Sequence, residues 1–131
     1  VLVPTLNCNF NCPYCFENNK RASKMSDSTI DNLISFIKSF EHVKELSLTW
    51  YGGEPLLALP VIEKLLYLIT KEIGIKIKKH SIITNGYLFS DKAIQLFQKY
   101  PLDRIQITLD GAKERHNNLR ALKVNNNPTY D

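Results

Sequence analysis

The sequence predicts an α/β fold in which parallel strands alternate with crossover helices. Two observations carry that expectation. Strand-like and helix-like segments follow one another from Val1 to Leu109 as strand, helix, strand, helix, strand, helix, strand. Each connection is long enough to hold a helix, and connections of that length make parallel pairs with right-handed crossovers. A third observation bears on how the sheet closes. In the fourth strand Ile105, Ile107 and Leu109 face one way while Gln106, Thr108 and Asp110 face the other, and Ser47 and Thr49 repeat the pattern in the second strand. Strands covered by helices on both faces are apolar throughout. An apolar face backed by a polar one therefore favours part of a barrel, with the polar face lining a cavity, over an open doubly wound sheet. An uncovered sheet face is the alternative reading of the same pattern.

The elements follow in order. Val1 to Thr5 is short, apolar and β-branched, as a strand should be. Residues 6–25 lack helical period, are rich in Asn and contain Pro13, which predicts a long loop. Ser26 is a suitable N-cap, with Asp27 in the first turn of a helix whose apolar face is Ile30, Leu33, Ile34, Ile37 and Phe40. Val43 to Trp50 is the second strand and ends at Gly52-Gly53-Glu54-Pro55. Pro60 suits a first helical position ahead of Ile62, Leu65, Leu66, Ile69 and Ile73, and Gly74 suits the helix end. Lys78 to Thr84 forms the third strand, broken by Asn85-Gly86. Ser90 caps a third helix carrying Ile94, Phe97 and, at its margin, Ala93, and Arg104 to Leu109 is the fourth strand.

Composition bounds the function. A chain of 131 residues, 44% hydrophobic and 23% charged, fits one soluble globular domain. The net charge of +4 is modest, and its densest part, Lys76, Lys78, Lys79 and His80, reads as a solvated face, so no nucleic-acid partner is expected. No apolar run approaches the roughly 20 residues of a membrane span, and no signal peptide precedes the first strand. A cytoplasmic location without membrane contact is the default expectation. The chain opens at Val1 inside a strand-like run and ends in the polar stretch Asn125 to Asp131, which predicts a piece of something larger.

Four groups of residues carry chemistry. All three cysteines, Cys8, Cys12 and Cys15, fall in one short loop. An odd, tightly clustered set is a poor disulfide framework and a good metal or cluster site. Three thiolates leave one coordination position open for a substrate or cofactor; a zinc site completed by His42 or His80 is the rival reading. Next, Gly52 and Gly53 end a strand in a way that permits close backbone approach, with Glu54 as an acceptor for a cation. Thr84-Asn85-Gly86 closes the third strand. Thr108, Asp110, His116 and Arg120 follow the fourth. Singly, the last three groups read as turns and a helix surface. Together with the cysteines they sit at the C-terminal ends of successive strands, the face where barrel enzymes keep their active sites.

Cys8-Asn9-Phe10-Asn11-Cys12-Pro13-Tyr14-Cys15 resembles the Cx3CxφC signature of radical S-adenosylmethionine (SAM) enzymes, with Tyr14 as the aromatic. The resemblance extends from Leu6 to Arg120. It implies that Cys8, Cys12 and Cys15 hold a [4Fe–4S] cluster whose fourth iron chelates SAM, and that a 5′-deoxyadenosyl radical abstracts a substrate hydrogen. It implies Tyr14 near the adenine, Gly52, Gly53 and Glu54 at the SAM amino group, and Thr84 and Asn85 facing the pocket. Thr108 and Arg120 would approach the SAM carboxylate, with Asp110 beside them. Ala112 and Asn117 depart from the usual Pro or Thr and Asp of the subgroup. The implied fold is a partial (β/α)6 TIM-like barrel, of which this chain supplies about four strands and three helices as the N-terminal part. The Trp50-Tyr51-Gly52-Gly53-Glu54-Pro55 and Thr108-Leu109-Asp110-Gly111 runs are similar to the SPASM-type peptide- and sulfatase-maturing members. That similarity implies a peptide or protein substrate, an electron donor such as flavodoxin or ferredoxin, and auxiliary clusters and substrate-contacting residues beyond Asp131. Residues 1–131 alone are expected to be inactive. A glycyl-radical-enzyme activase, a degenerate relative without turnover, and a structural zinc module that binds a partner are the alternatives.

Overall fold

The computed structural model describes residues 1–17 and 21–130. Positions 18–20 of the expected long loop and Asp131 lie outside the described residues. Four parallel strands, β1 (Leu2–Thr5), β2 (Glu45–Gly52), β3 (Lys76–Thr84) and β4 (Arg104–Ile107), form one sheet in the order β1-β2-β3-β4. A doubly wound sheet reverses direction at a switch point; this one advances strand by strand, as a barrel wall does. The helices are α1 (Asp27–Lys38), α2 (Leu59–Tyr67), α3 (Asp91–Lys99) and α4 (Lys113–Leu119). The fourth was not among the three expected.

Local chemistry explains most boundaries. Ser26 accepts a hydrogen bond from the Thr29 amide, and Ser90 accepts one from Ala93, so both expected caps satisfy first-turn donors. A 3₁₀ turn over Pro55–Ala58 precedes α2, so Pro60 falls just inside the helix rather than opening the segment. A π turn over Leu68–Glu72 ends it, and Gly74 follows with φ +77°.

The core lies on one side of the sheet. Leu48 and Trp50 of β2 and Ile82 of β3 pack with Ile30 and Ile34 of α1 and with Ile62, Leu65, Leu66 and Ile69. On the other face Thr49 and Ser81 share a 2.8 Å hydrogen bond, so the polar alternation of β2 continues across the sheet. Three expectations about faces need correction. Phe40 lies beyond α1 and stays exposed, edge-on to Phe36. Helix α3 buries Ala93, Leu96 and Phe97, and Ile94 points outward, 45% exposed. Ile105, Ile107 and Leu109 were expected to pack on helices, yet they are 49%, 47% and 65% exposed. The buried side of α3 is the one that joins the core, where Ala93 is 0% exposed and Phe97 lies edge-on to His80 of β3. In β4 the alternation is present, but β3 is the strand's only sheet neighbour among the described residues.

Candidate functional site

The loop after β1 is held at both ends. The Thr5 hydroxyl and the Leu6 amide donate to Ser23 O at 2.7 and 2.8 Å. Further along, Phe10 bridges Leu122, the Asn11 amide donates to Ala121 O at 2.9 Å, and the Lys123 amide donates to Asn9 O at 2.7 Å. The loop is thereby strapped to the segment that follows α4. All three cysteines are thiols and line one cavity at the C-terminal ends of the strands, shared with Tyr14, Gly52, Gly53, Thr84, Asn85, Thr108 and Arg120. Burial pushes the Cys8 and Cys12 thiols above their ordinary range, and the Arg120 charge opposes that shift at both. Binding a metal centre as thiolates thus carries a deprotonation cost that the guanidinium offsets in part.

Among the described residues, no three His, Cys, Asp or Glu side chains converge on a single metal ion. The two histidines considered as zinc ligands are not part of this cavity. His42 precedes β2, at the opposite end of the parallel sheet. His80 is buried, takes the Trp50 indole N–H on Nε2 at 2.7 Å and lies 3.0 Å from Pro101 O through Nδ1. Both of its nitrogens are engaged, and burial lowers its pKa, which keeps the ring neutral.

The two glycines are required by the chain itself. Gly52 has φ +127°, and a Cβ there would fall 2.3 Å from Thr5 O; a Cβ on Gly53 would fall 2.3 Å from Asn7 O. The amides of Gly53 and Glu54 donate to Thr5 O and Asn7 O at 3.2 and 2.8 Å. Close approach at this turn therefore joins the end of β2 to the cysteine loop. Glu54 is fully buried and does not line the cavity. Its Oε1 accepts from the Leu56 amide at 2.9 Å and the Thr84 hydroxyl at 2.7 Å, and its Oε2 accepts from the Asn85 amide at 2.8 Å. Burial raises its pKa, opposed by those donors.

Asp110 does not line the cavity but braces two residues that do. The Tyr14 hydroxyl donates to Asp110, and Arg120 Nη1 donates to Tyr14 Oη at 2.7 Å and lies 3.4 Å from Asp110 Oδ2. Partial burial and the bond to Asp110 push the Tyr14 phenol up to about 12, while the same bond and Arg120 hold the Asp110 carboxyl below its ordinary value. Arg120 is nine-tenths buried, stacks on Phe10 at 5.6 Å, and its Nε has no partner among the described residues. His116 is buried rather than on a helix surface, and its Nδ1 accepts from the Asp110 amide at 3.3 Å. Asn117 keeps the acceptor that an aspartate would offer: its Oδ1 takes the amides of Thr129 and Tyr130, each at 3.0 Å.

Sequence reasoning missed Phe10, Tyr51 and Asn9. Phe10 and Tyr51 line the cavity, and Asn9 Oδ1 accepts from the Asn85 side-chain amide at 2.8 Å. An aromatic inside a polar cysteine loop was the available signal for Phe10. Nothing in the local sequence pairs Asn9 with Asn85.

Comparison with known proteins gives one family and several relatives. The radical SAM superfamily model matches residues 2–131. The chain is similar to the radical SAM cyclopropyl synthase TigE of Paramaledivibacter caminithermalis, at 33% identity over 96% of this chain and 33% of that protein. It is similar to a serine-type anaerobic sulfatase-maturating enzyme of Bacteroides thetaiotaomicron, at 28% identity over 89% of this chain and 30% of that one. Among solved structures it resembles native anSMEcpe with bound AdoMet and Kp18Cys peptide, with a TM-score of 0.79 and 27% identity over 98% of this chain and 36% of that chain. The chain spans about a third of the length of these relatives.

Proposed function

This chain belongs to the radical SAM superfamily, and from that premise we propose that it is the N-terminal part of the core domain of an enzyme that matures a peptide or protein. In this reading Cys8, Cys12 and Cys15 hold a [4Fe–4S] cluster, and Tyr14, Gly52, Gly53, Thr84, Asn85, Thr108 and Arg120 form the wall against which SAM lies. The cluster, when bound, supplies the electron that cleaves SAM and so generates the radical that removes a substrate hydrogen. The observation that carries the reading is that the thiols and these seven residues, drawn from the ends of the strands, the loops that follow them and, for Arg120, the end of α4, line one cavity. The donor set suits the groups. The three thiols line one cavity, as the ligands of one cluster would. Arg120 lines the cavity and offers a carboxylate a planar, permanently charged group.

The chain's own residues hold and orient. Arg120 fixes the carboxylate end of SAM, Tyr14 borders its adenine, and the Gly52-Gly53 backbone faces its amino group. Phe10 and Tyr51 keep the wall partly apolar, which limits water at the reacting centre. A peptide substrate is supported by the likeness to a sulfatase-maturating enzyme and to a structure that holds a peptide. No described helix is long and apolar enough to cross a membrane. We place the enzyme in the cytoplasm, served by a flavodoxin- or ferredoxin-type donor. The test uses the full-length, reduced protein with SAM and candidate peptides encoded beside it. Peptide-dependent 5′-deoxyadenosine, with a mass loss of about two hydrogens from the peptide, is the expected outcome for an oxidative maturase. A stable glycyl radical without that mass change would point to an activase, and turnover with a small metabolite alone would overturn the peptide assignment.

A further inference from the structure

We infer that Glu54 is a positioning residue for the cysteine loop and that its side chain is not a ligand of SAM. The inference rests on the proposed role of the cysteines. A carboxylate meant to receive an ammonium from the cavity would face it. The Glu54 carboxylate is instead sealed beneath the cavity wall, 0% exposed, and both of its oxygens are occupied by donors of this chain. One oxygen takes the Leu56 amide and the Thr84 hydroxyl; the other takes the Asn85 amide. Oε2 keeps one unused lone pair, but with the side chain 0% exposed a ligand in the cavity reaches it only if the wall opens and the buried bonds are disturbed.

These bonds fix where β3 ends. The Glu54 carboxylate joins the turn after β2 to Thr84 and Asn85, residues 30 and 31 positions away. Asn85 then passes the position on. Its Oδ1 accepts from the Tyr87 amide at 3.0 Å, which orients the side chain, and its Nδ2 donates to Asn9 Oδ1 at 2.8 Å. Asn9 lies between Cys8 and Cys12, and the Glu54 amide itself donates to Asn7 O just before Cys8. Glu54 therefore grips the cysteine loop directly through its backbone and, through Asn85, by its side chain. A buried carboxylate suits this task because charge-assisted bonds are roughly twice as strong as neutral ones.

The test is hydrogen exchange on the full-length protein without cofactors, followed by anaerobic cluster loading. In Glu54→Gln one end of the carboxamide presents N–H where the Asn85 amide needs an acceptor. Exchange at Asn85 and across residues 8–12 should rise tenfold or more before any iron is added. The loaded variant should then lose iron to a chelator faster than the parent in the same proportion. Asn9→Ala covers the case in which Glu54→Gln does not fold: Asn85 exchange should stay at the parent rate while the cysteine loop exchanges and sheds iron faster. Parent-like exchange in Glu54→Gln, with SAM affinity alone reduced about tenfold, would make Glu54 a direct ligand and overturn the inference. Parent-like iron retention in Asn9→Ala would remove the link to Asn85. If the parent itself takes up no iron, the cluster assignment fails, and the exchange rates still decide what Glu54 does.

Discussion

The Tyr14 hydroxyl stands between an anion and a cation, and its properties follow from both. Replacing the charged acceptor by a neutral one in Asp110→Asn should bring the Tyr14 phenol down from about 12 toward its ordinary 10, though not all the way, because burial is the larger cause. Ultraviolet titration against Tyr14→Phe reads this one ring. The sign for Asp110 is opposite. Its folded-state pKa is depressed, so its contribution to stability is complete above about pH 4 and is lost as pH falls through the folded value. Asp110→Asn should therefore flatten the acid limb of the stability profile and leave the neutral region less stable. At Gly53 the steric argument dominates. Any side chain meets the Leu6 and Asn7 carbonyls, at 2.6 and 2.3 Å from Cβ, and backbone cannot yield as a flexible side chain can. Gly53→Val should cost roughly 3 kcal/mol or more and disturb the cysteine loop before SAM is present. A denaturation midpoint equal to the parent's would contradict that account.

The helices show which parts of the architecture local chemistry dictates. Ser26 and Ser90 were legible as caps because an N-cap is a local rule, and each accepts the expected first-turn amide. Changing either to Ala should cost about 1 kcal/mol in chemical denaturation. The exposed Lys64–Asp27 pair between α2 and α1, 2.7 Å apart, should add little, because water screens both groups. Which side of α3 is buried was not legible. Ala93, Leu96 and Phe97 line up on the core side only once the helix is placed against the sheet, and Ile94 competes with Leu96 on hydrophobicity alone. Leu96→Ala should cost about 2–5 kcal/mol, whereas Ile94→Ala should cost well under that because the side chain is already 45% exposed. The apolar side of β4 was legible as a pattern but not as burial, since burial depends on what lies across from it.

At the scale of the whole molecule, four motifs spread from Cys8 to Arg120 meet at one end of a parallel sheet. That convergence was legible because parallel βα units send every strand's C-terminal end to the same face. The struts behind it were not. Glu54–Thr84, Asn9–Asn85 and Tyr14–Arg120 join residues 30, 76 and 106 positions apart, and turn-type residues such as Asn give no local sign of a distant partner. These long-range bonds give the cavity its shape. We propose that this shape holds an iron–sulfur cluster with one iron open to SAM. The most direct test is iron analysis and electron paramagnetic resonance of the full-length protein after anaerobic reconstitution, with and without SAM. About four irons bound at this site, a reduced-cluster signal that changes when SAM is added, and loss of both in Cys12→Ala are the expected outcome. Stoichiometric zinc with no iron uptake, or a cluster signal indifferent to SAM, would contradict it.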